Sequence, residues 1–160
     1  MVSIEVALTH PGRVRSLVLA ATHAGSRRPS MAGRGPHVPK DRPYLALYSP
    51  RFPEEHPEHV ADDIEIASRQ PQHPRARRRQ WQALQGWDAW DRLASIPCPV
   101  LVLHGTEDNV VPVENGRRLA AGIPGARLAL IEGAGHVYHS ERAEEADRTV
   151  LDFLREVDGR

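Results

Sequence analysis

Hydrophobic positions along the chain fall into a few compact runs and several spaced sets. The compact runs are Leu17-Val-Leu-Ala-Ala21, Val100-Leu-Val-Leu103 and the mostly apolar residues 126–131. A short apolar run bounded by proline or glycine reads as a strand buried on both faces. Val100 to Leu103, set between Pro99 and Gly105, is the central one. The pattern predicts strands over residues 16–22, 100–103 and 126–131. The spaced sets predict helices. Val2, Ile4, Val6, Ala7 and Leu8 make residues 2–10 apolar nearly all round, as in a helix packed inside a sheet layer, and His10-Pro11-Gly12 stops it. Val60, Ile64 and Ala67 mark residues 58–70, and Trp81 and Leu84 mark residues 74–87. Pro112 opens a helix running to about residue 121, ended by Gly122 and Pro124. A last helix carries Ala143, Ala146, Val150, Phe153, Leu154 and Val157 as its stripe. Ser140 is placed to cap it, with Glu141, Glu144 and Glu145 near its positive end.

The order is strand, long excursion, strand, helix, strand, helix. That is an α/β pattern of three parallel strands with flanking helices, each crossover right-handed. From His23 to about Arg79 the chain is rich in Pro, Arg and His. Gly25, Pro29, Gly33, Gly35, Pro36 and Pro39 argue for an irregular first part, and the later part turns helical. Trp87-Asp-Ala-Trp-Asp-Arg-Leu93 closes the excursion, and Ile96-Pro-Cys-Pro99 leads into the next strand. Long insertions of this kind are functional or disordered.

Composition narrows the classes. A chain of 160 residues, 40% hydrophobic, is sized for one domain with a core, and its apolar runs are too short to cross a bilayer. No basic region and long apolar stretch follow Met1, so the chain is read as lacking a signal peptide. The lone Cys98 excludes an internal disulfide and suits a reducing cytoplasm. With 21 basic and 21 acidic residues the formal net charge is zero, which gives no electrostatic reason to expect nucleic acid. The Arg75, Arg77, Arg78, Arg79 cluster reads as the solvated side of a helix.

Candidate chemistry gathers at the carboxyl ends of two successive strands, the rim where open α/β sheets do their work. Asp108 follows Val100 to Leu103, and His136 follows residues 126–131. A buried, ionised acid bonded to one imidazole nitrogen fixes the tautomer of the ring, and the other nitrogen then serves as base. The plainer reading of Asp108 is a cap on the next helix, and Glu107 is its neighbouring alternative. No G-x-S-x-G nucleophile elbow occurs. Ser3 lacks the flanking glycines, and Ser26 lies in a loop after the wrong strand. Cys98, between two prolines, has no base nearby in sequence. The pairs His56/His59 and His136/His139 lack converging third and fourth ligands, so they read as solvated loop residues rather than a metal site. His104 reads as structural or pocket-lining. Trp81, Trp87 and Trp90 either line an apolar pocket or fasten the excursion to the sheet.

The strings His104-Gly-Thr-Glu-Asp108-Asn-Val-Val-Pro112 and Gly133-Ala-Gly-His136 resemble the acid loop and histidine loop of the α/β-hydrolase fold family. So does the opening, a helix ending in His-Pro followed by Arg-Val and an apolar strand. The resemblance covers nearly the whole chain and implies a partial α/β-hydrolase fold. The core would be residues 1–22 and 96–160, with a mainly helical cap, or lid, over about residues 23–95. It implies a triad of nucleophile, His136 and Asp108 acting on a small-molecule ester or lactone, with no cofactor or metal. In the family the elbow and oxyanion hole precede the segment seen here. The chain therefore looks like the second part of such a domain, with Met1 an internal methionine or late start, and it should be silent alone. Serine, cysteine or aspartate at the missing position would mean different chemistries. The wording is most similar to the enol-lactonases and haloperoxidase-like esterases. The strand at residues 17–22 would expose an edge, open to the missing N-terminal half or to self-association. The rival class is a non-catalytic remnant or interaction module that kept the cap. A further option is a pair of separately encoded halves.

Overall fold

The computed structural model describes residues 1–25, 40–69 and 73–159. Its centre is a three-stranded parallel sheet in the order β1 (Leu17–Ala20), β2 (Val100–Gly105), β3 (Arg127–Ile131). Leu17 pairs with Val100 and Ala20 with Leu103, while Leu101 pairs with Arg127 and Gly105 with Ile131. Every residue of β2 is buried, as the uninterrupted apolar run requires of a central strand. The outer strands are mixed, and β3 begins at an exposed Arg127.

The two faces of β2 build two cores. Val100 and Val102 join Leu17 and Leu19 under Ile4 and Ala7 of α1 (Val2–Thr9), Leu93, and Leu119 of α5 (Val113–Gly122). Leu103 on the other face joins Ile131, Ala134, Tyr138 and Ala146, the last from α7 (Ala143–Asp158). Helices therefore cover both faces of the sheet. The α1 helix is only half covered: Ile4 and Ala7 are buried, but Val2 is 69% exposed and Val6 is also open. The expectation of a helix apolar because it is enclosed holds on one face only.

Between β1 and β2 the described excursion holds 3-10 turns at Pro43–Leu47 and Trp90–Ser95 and the helices α2 (Phe52–Glu55), α3 (Pro57–Ser68) and α4 (Pro74–Gln85). Prolines at the starts of α2, α3 and α4 supply the pre-set backbone and lack only an amide that would be unpaired there. Tyr48, Phe52 and Val60 form a third, small core with Tyr44, Leu45, Leu47 and Val137. The stretch over residues 43–55, between the glycine- and proline-rich part and the helix predicted from residue 58, carries no element in the sequence pattern. Its aromatic residues, spaced by four at Tyr44, Tyr48 and Phe52, organise it instead. Gly33, Gly35, Pro29, Pro36, Pro39, Ser26 and the Gln70 helix end lie outside the described residues.

The last helix differs from expectation. The chain makes a short α6 (Tyr138–Glu141), breaks at Arg142 (φ −138°, ψ 48°) and only then begins α7. Ser140 and Glu141 are thus inside α6 and cap nothing. Their side chains are committed elsewhere, as described below.

Candidate active site

The rim at the carboxyl ends of β2 and β3 brings Asp108 and His136 together. Asp108 Oδ2 stands 2.8 Å from His136 Nδ1. The Asp108 side chain is fully buried, and the His136 side chain is 26% exposed. Asp108 Oδ1 accepts the backbone N–H groups of Val110 and Val111, each at 2.8 Å. The capping alternative is thereby met in part: the carboxylate does hold turn amides, but α5 starts at Val113 beyond them. Glu107 contributes its backbone N–H to Ala134 O, tying the acid loop to the histidine loop.

His104 is buried, in keeping with a structural role, and its contact with the acid is what the sequence does not show. Its Nε2 lies 2.8 Å from the Val111 carbonyl oxygen and 3.3 Å from Asp108 Oδ2, both acceptors, so Nε2 carries the proton. Its Nδ1 has no hydrogen-bond partner among the described residues and faces Gly116, where an added Cβ would come within 2.8 Å of it. His104 is fully buried, the last residue but one of β2, four residues before Asp108. That spacing across a strand end was the available signal, since a buried histidine there needs a nearby acceptor.

The balance of forces on Asp108 can be read from its partners. Burial pushes the carboxyl up, but hydrogen bonds from His104 and His136, the charge of His136 and the Val111 amide together hold it down at about 2. An ionised Asp108 in turn holds the proton of His136 on Nδ1, which leaves Nε2 as the ring nitrogen with a free lone pair. Burial, then the Asp108 charge, push the neighbouring Tyr138 hydroxyl up to about 12.

Close approach of backbones makes this arrangement possible. A Cβ on Gly105 would strike the carbonyl oxygens of Ala134 and Gly135. One on Gly135 would strike the backbone of Tyr48 and Ser49. The histidine loop is thus pressed between the end of β2 and the excursion. Ala21, just beyond β1 on the same rim, holds φ at 41°, an uncommon conformation for a residue with a Cβ. His23 follows it, buried, its Nδ1 accepting the Gly25 N–H at 3.0 Å. Burial pushes its titration down.

The remaining candidates fall elsewhere. Ser3 lies exposed on α1. Cys98 is partly buried before β2, its thiol pushed up by burial. Trp87 Nε1 donates to Glu5 at 2.7 Å and fastens the excursion to α1, while Trp90 Nε1 reaches Gly25 O at 3.4 Å and ties the two ends of the excursion together. Trp81 is 51% exposed. His56 lies against the Phe52 ring, and His59 Nε2 is 2.8 Å from Ser140 Oγ. Among the described residues no three His, Cys, Asp or Glu side chains converge as a metal site, and no helix is long and apolar enough to cross a membrane.

A parallel sheet wrapped by helices, with an acid and a histidine joined at its carboxyl rim, defines a class. The chain belongs to the Alpha/beta hydrolase family, whose sequence profile matches residues 1–148. It is 35% identical over 100 residues to the 2-hydroxy-6-oxo-6-phenylhexa-2,4-dienoate hydrolase of Comamonas testosteroni, covering 62% of this chain and 31% of that one. A solved structure of an N-acyl homoserine lactone degrading enzyme superposes with a TM-score of 0.71 at 28% identity, over 96% of this chain and 63% of that one. The enol-lactonase of Burkholderia xenovorans LB400 superposes with a TM-score of 0.74 at 24% identity, over 96% and 61%, a likeness of fold. This chain therefore spans less than two thirds of each of these proteins.

Proposed function

We propose that this chain carries the base and the orienting acid of a hydrolase acting on carboxylic esters or lactones, with the nucleophile and oxyanion donors contributed by polypeptide outside these 160 residues. His136 Nε2 takes the proton of the nucleophile as that group adds to the acyl carbon, then passes it to the departing alcohol oxygen. In the second half of the cycle a water adds to the acyl carbon and gives a proton to the same nitrogen, and His136 returns that proton to the nucleophile as the acyl–nucleophile bond breaks and the acid leaves. Asp108 holds Nδ1–H and balances the imidazolium. His104 and the Val110 and Val111 amides keep Asp108 ionised and still. The excursion over about residues 23–95 acts as the cap.

The observation that carries this reading is the 2.8 Å contact of His136 Nδ1 with a fully buried Asp108 carboxylate. The N-acyl homoserine lactone degrading enzyme, similar in structure, supports the substrate class. The absence of a G-x-S-x-G string from the sequence supports a nucleophile supplied from outside. The half-open α1 and the edge of β1 that no strand pairs among the described residues are where that polypeptide would pack.

The reading frame upstream of the Met1 codon provides the test. An open frame encoding an elbow leads to an assay of the extended protein on acyl esters and lactones. There, His136→Ala should lower kcat by a factor of about 10³ or more. A stop codon directly upstream with no elbow nearby, or full turnover in His136→Ala, would sink the proposal and favour an interaction module.

A further inference from the structure

Glu141 is a buried acid that neither Asp108 nor His136 touches, at 8% exposure. Its Oε1 accepts the Gly135 N–H at 3.0 Å and the Ser49 N–H at 2.9 Å. Its Oε2 accepts the Ser49 hydroxyl at 2.6 Å. One carboxylate therefore joins the residue before His136 to a segment that lies 92 positions from Glu141 itself. We propose that Glu141 is a positioning residue for His136, fixing the histidine loop against the entry of the cap. This rests on the reading of His136 as the base.

The chemistry favours a positional role over packing. A carboxylate is among the costliest groups to bury, so a filler at this place would be Leu or Met. A carboxylate offers two adjacent acceptors to three donors, two of them backbone amides that have no freedom to turn elsewhere. Removing it would orphan both amides. The tie runs in parallel with others: Val137 N–H donates to Leu47 O at 3.0 Å, and Asp63 Oδ2 accepts from Tyr48 Oη at 2.9 Å and Ser140 Oγ at 2.5 Å. Asp108 fixes the imidazole at its ring, and Glu141 fixes the main chain that carries it. With no Cβ tolerated at Gly135, the loop has one place to lie, and Glu141 holds it there.

The test is NMR of the isotopically labelled full chain, reading the His136 ring resonances and the amide exchange of Gly135 and Ser49. In Glu141→Gln the amide oxygen can accept both backbone N–H groups and the NH₂ can donate to Ser49 Oγ, so the His136 spectrum should match wild type. In Glu141→Ala the ring resonances should move, and Gly135 exchange should rise by about tenfold or more. Glu141→Asp keeps the charge and loses the reach, and should behave like Ala. If Ala does not fold, Asp against Gln carries the same decision. A folded Ala or Asp variant with unchanged His136 and Gly135 overturns the proposal. So does a Gln variant displaced while Asp is unaffected, since charge and not reach would then govern. Asp108→Asn in the same series reports on the underlying reading: if His136 is insensitive to it, the acid and histidine are not a working pair, whatever the Glu141 variants do.

Discussion

Two parts of the excursion behave differently. Its nearer part, residues 43–60, is welded to the rim. Tyr48, Phe52 and Val60 share a small core with Val137, and Ser49 is bound by Glu141. Its farther part, α4, buries no residue at all. Both carry several charged residues and begin on a proline. What separates them is the aromatic spacing of the first and its access to buried acceptors. Being over the sheet in sequence order does not make a segment part of the core. Having apolar groups where the sheet rim has a groove does.

The largest expected effect breaks the welded part. Phe52→Ala removes a buried ring that stacks parallel to Tyr48 at 5.7 Å and lies 4.6 Å from His56. It should cost about 3–5 kcal/mol in chemical denaturation. A loss under about 1 kcal/mol would show that residues 43–60 are as loosely held as α4. Gly105→Ala comes next. Its Cβ meets two backbone oxygens, which cannot rotate away as a side chain would. The cost should be about 3 kcal/mol, near the upper end for overpacking. Separation of His136 from Asp108 should accompany it, seen as loss of the low-field Nδ1 proton in NMR. Retention of that proton at wild-type stability would mean the histidine loop can retreat.

The sequence made one half of this legible. An unbroken apolar run has few alternatives to a buried strand, so β2 and its neighbours, with their order, followed from periodicity, and the strand ends put Asp108 and His136 on the rim. The welded strap did not follow, because its contacts are made to Val137, Ser140 and Glu141, some 80 to 90 positions later. Local spacing carries no record of such partners. Ser140 and Glu141 even looked like ordinary helix-start residues, and only the break at Arg142 shows that they serve the loop before them. The contact of His104 with Asp108 was hidden for another reason. A buried histidine and a surface one are the same letter, and what distinguishes them is the acceptor four residues on.

Acidification probes the rim through Asp108. Asp108 is held at about 2 in the fold, below its usual 3.8. Its folded value is depressed, so the unfolded chain binds the more protons between the two, and stability rises with pH across that window. The contribution is complete above about pH 4 and is lost as the pH falls toward 2. It is on the order of 2 kcal/mol, at 1.36 kcal/mol per unit. Asp108→Asn should flatten this part of the acid limb in a comparison of denaturation at pH 4 and pH 2. An acid limb identical to wild type would mean that His104 and His136 do not stabilise the charge.

The smallest effects belong to α4, and they sharpen the contrast by being small. Trp81 is half exposed, so Trp81→Ala should change stability by no more than about 0.5 kcal/mol, well under the cost at Phe52. Gly86 ends the helix at φ −99°, ψ −4°, a conformation open to any residue, with nothing within 4 Å of where a Cβ would stand. Gly86→Ala should therefore stabilise by about 0.5 kcal/mol, because the unfolded chain loses freedom and the folded one loses nothing. The sign is the informative part. A destabilisation of about 1 kcal/mol or more by either change would require a surface against α4 that the described residues do not provide.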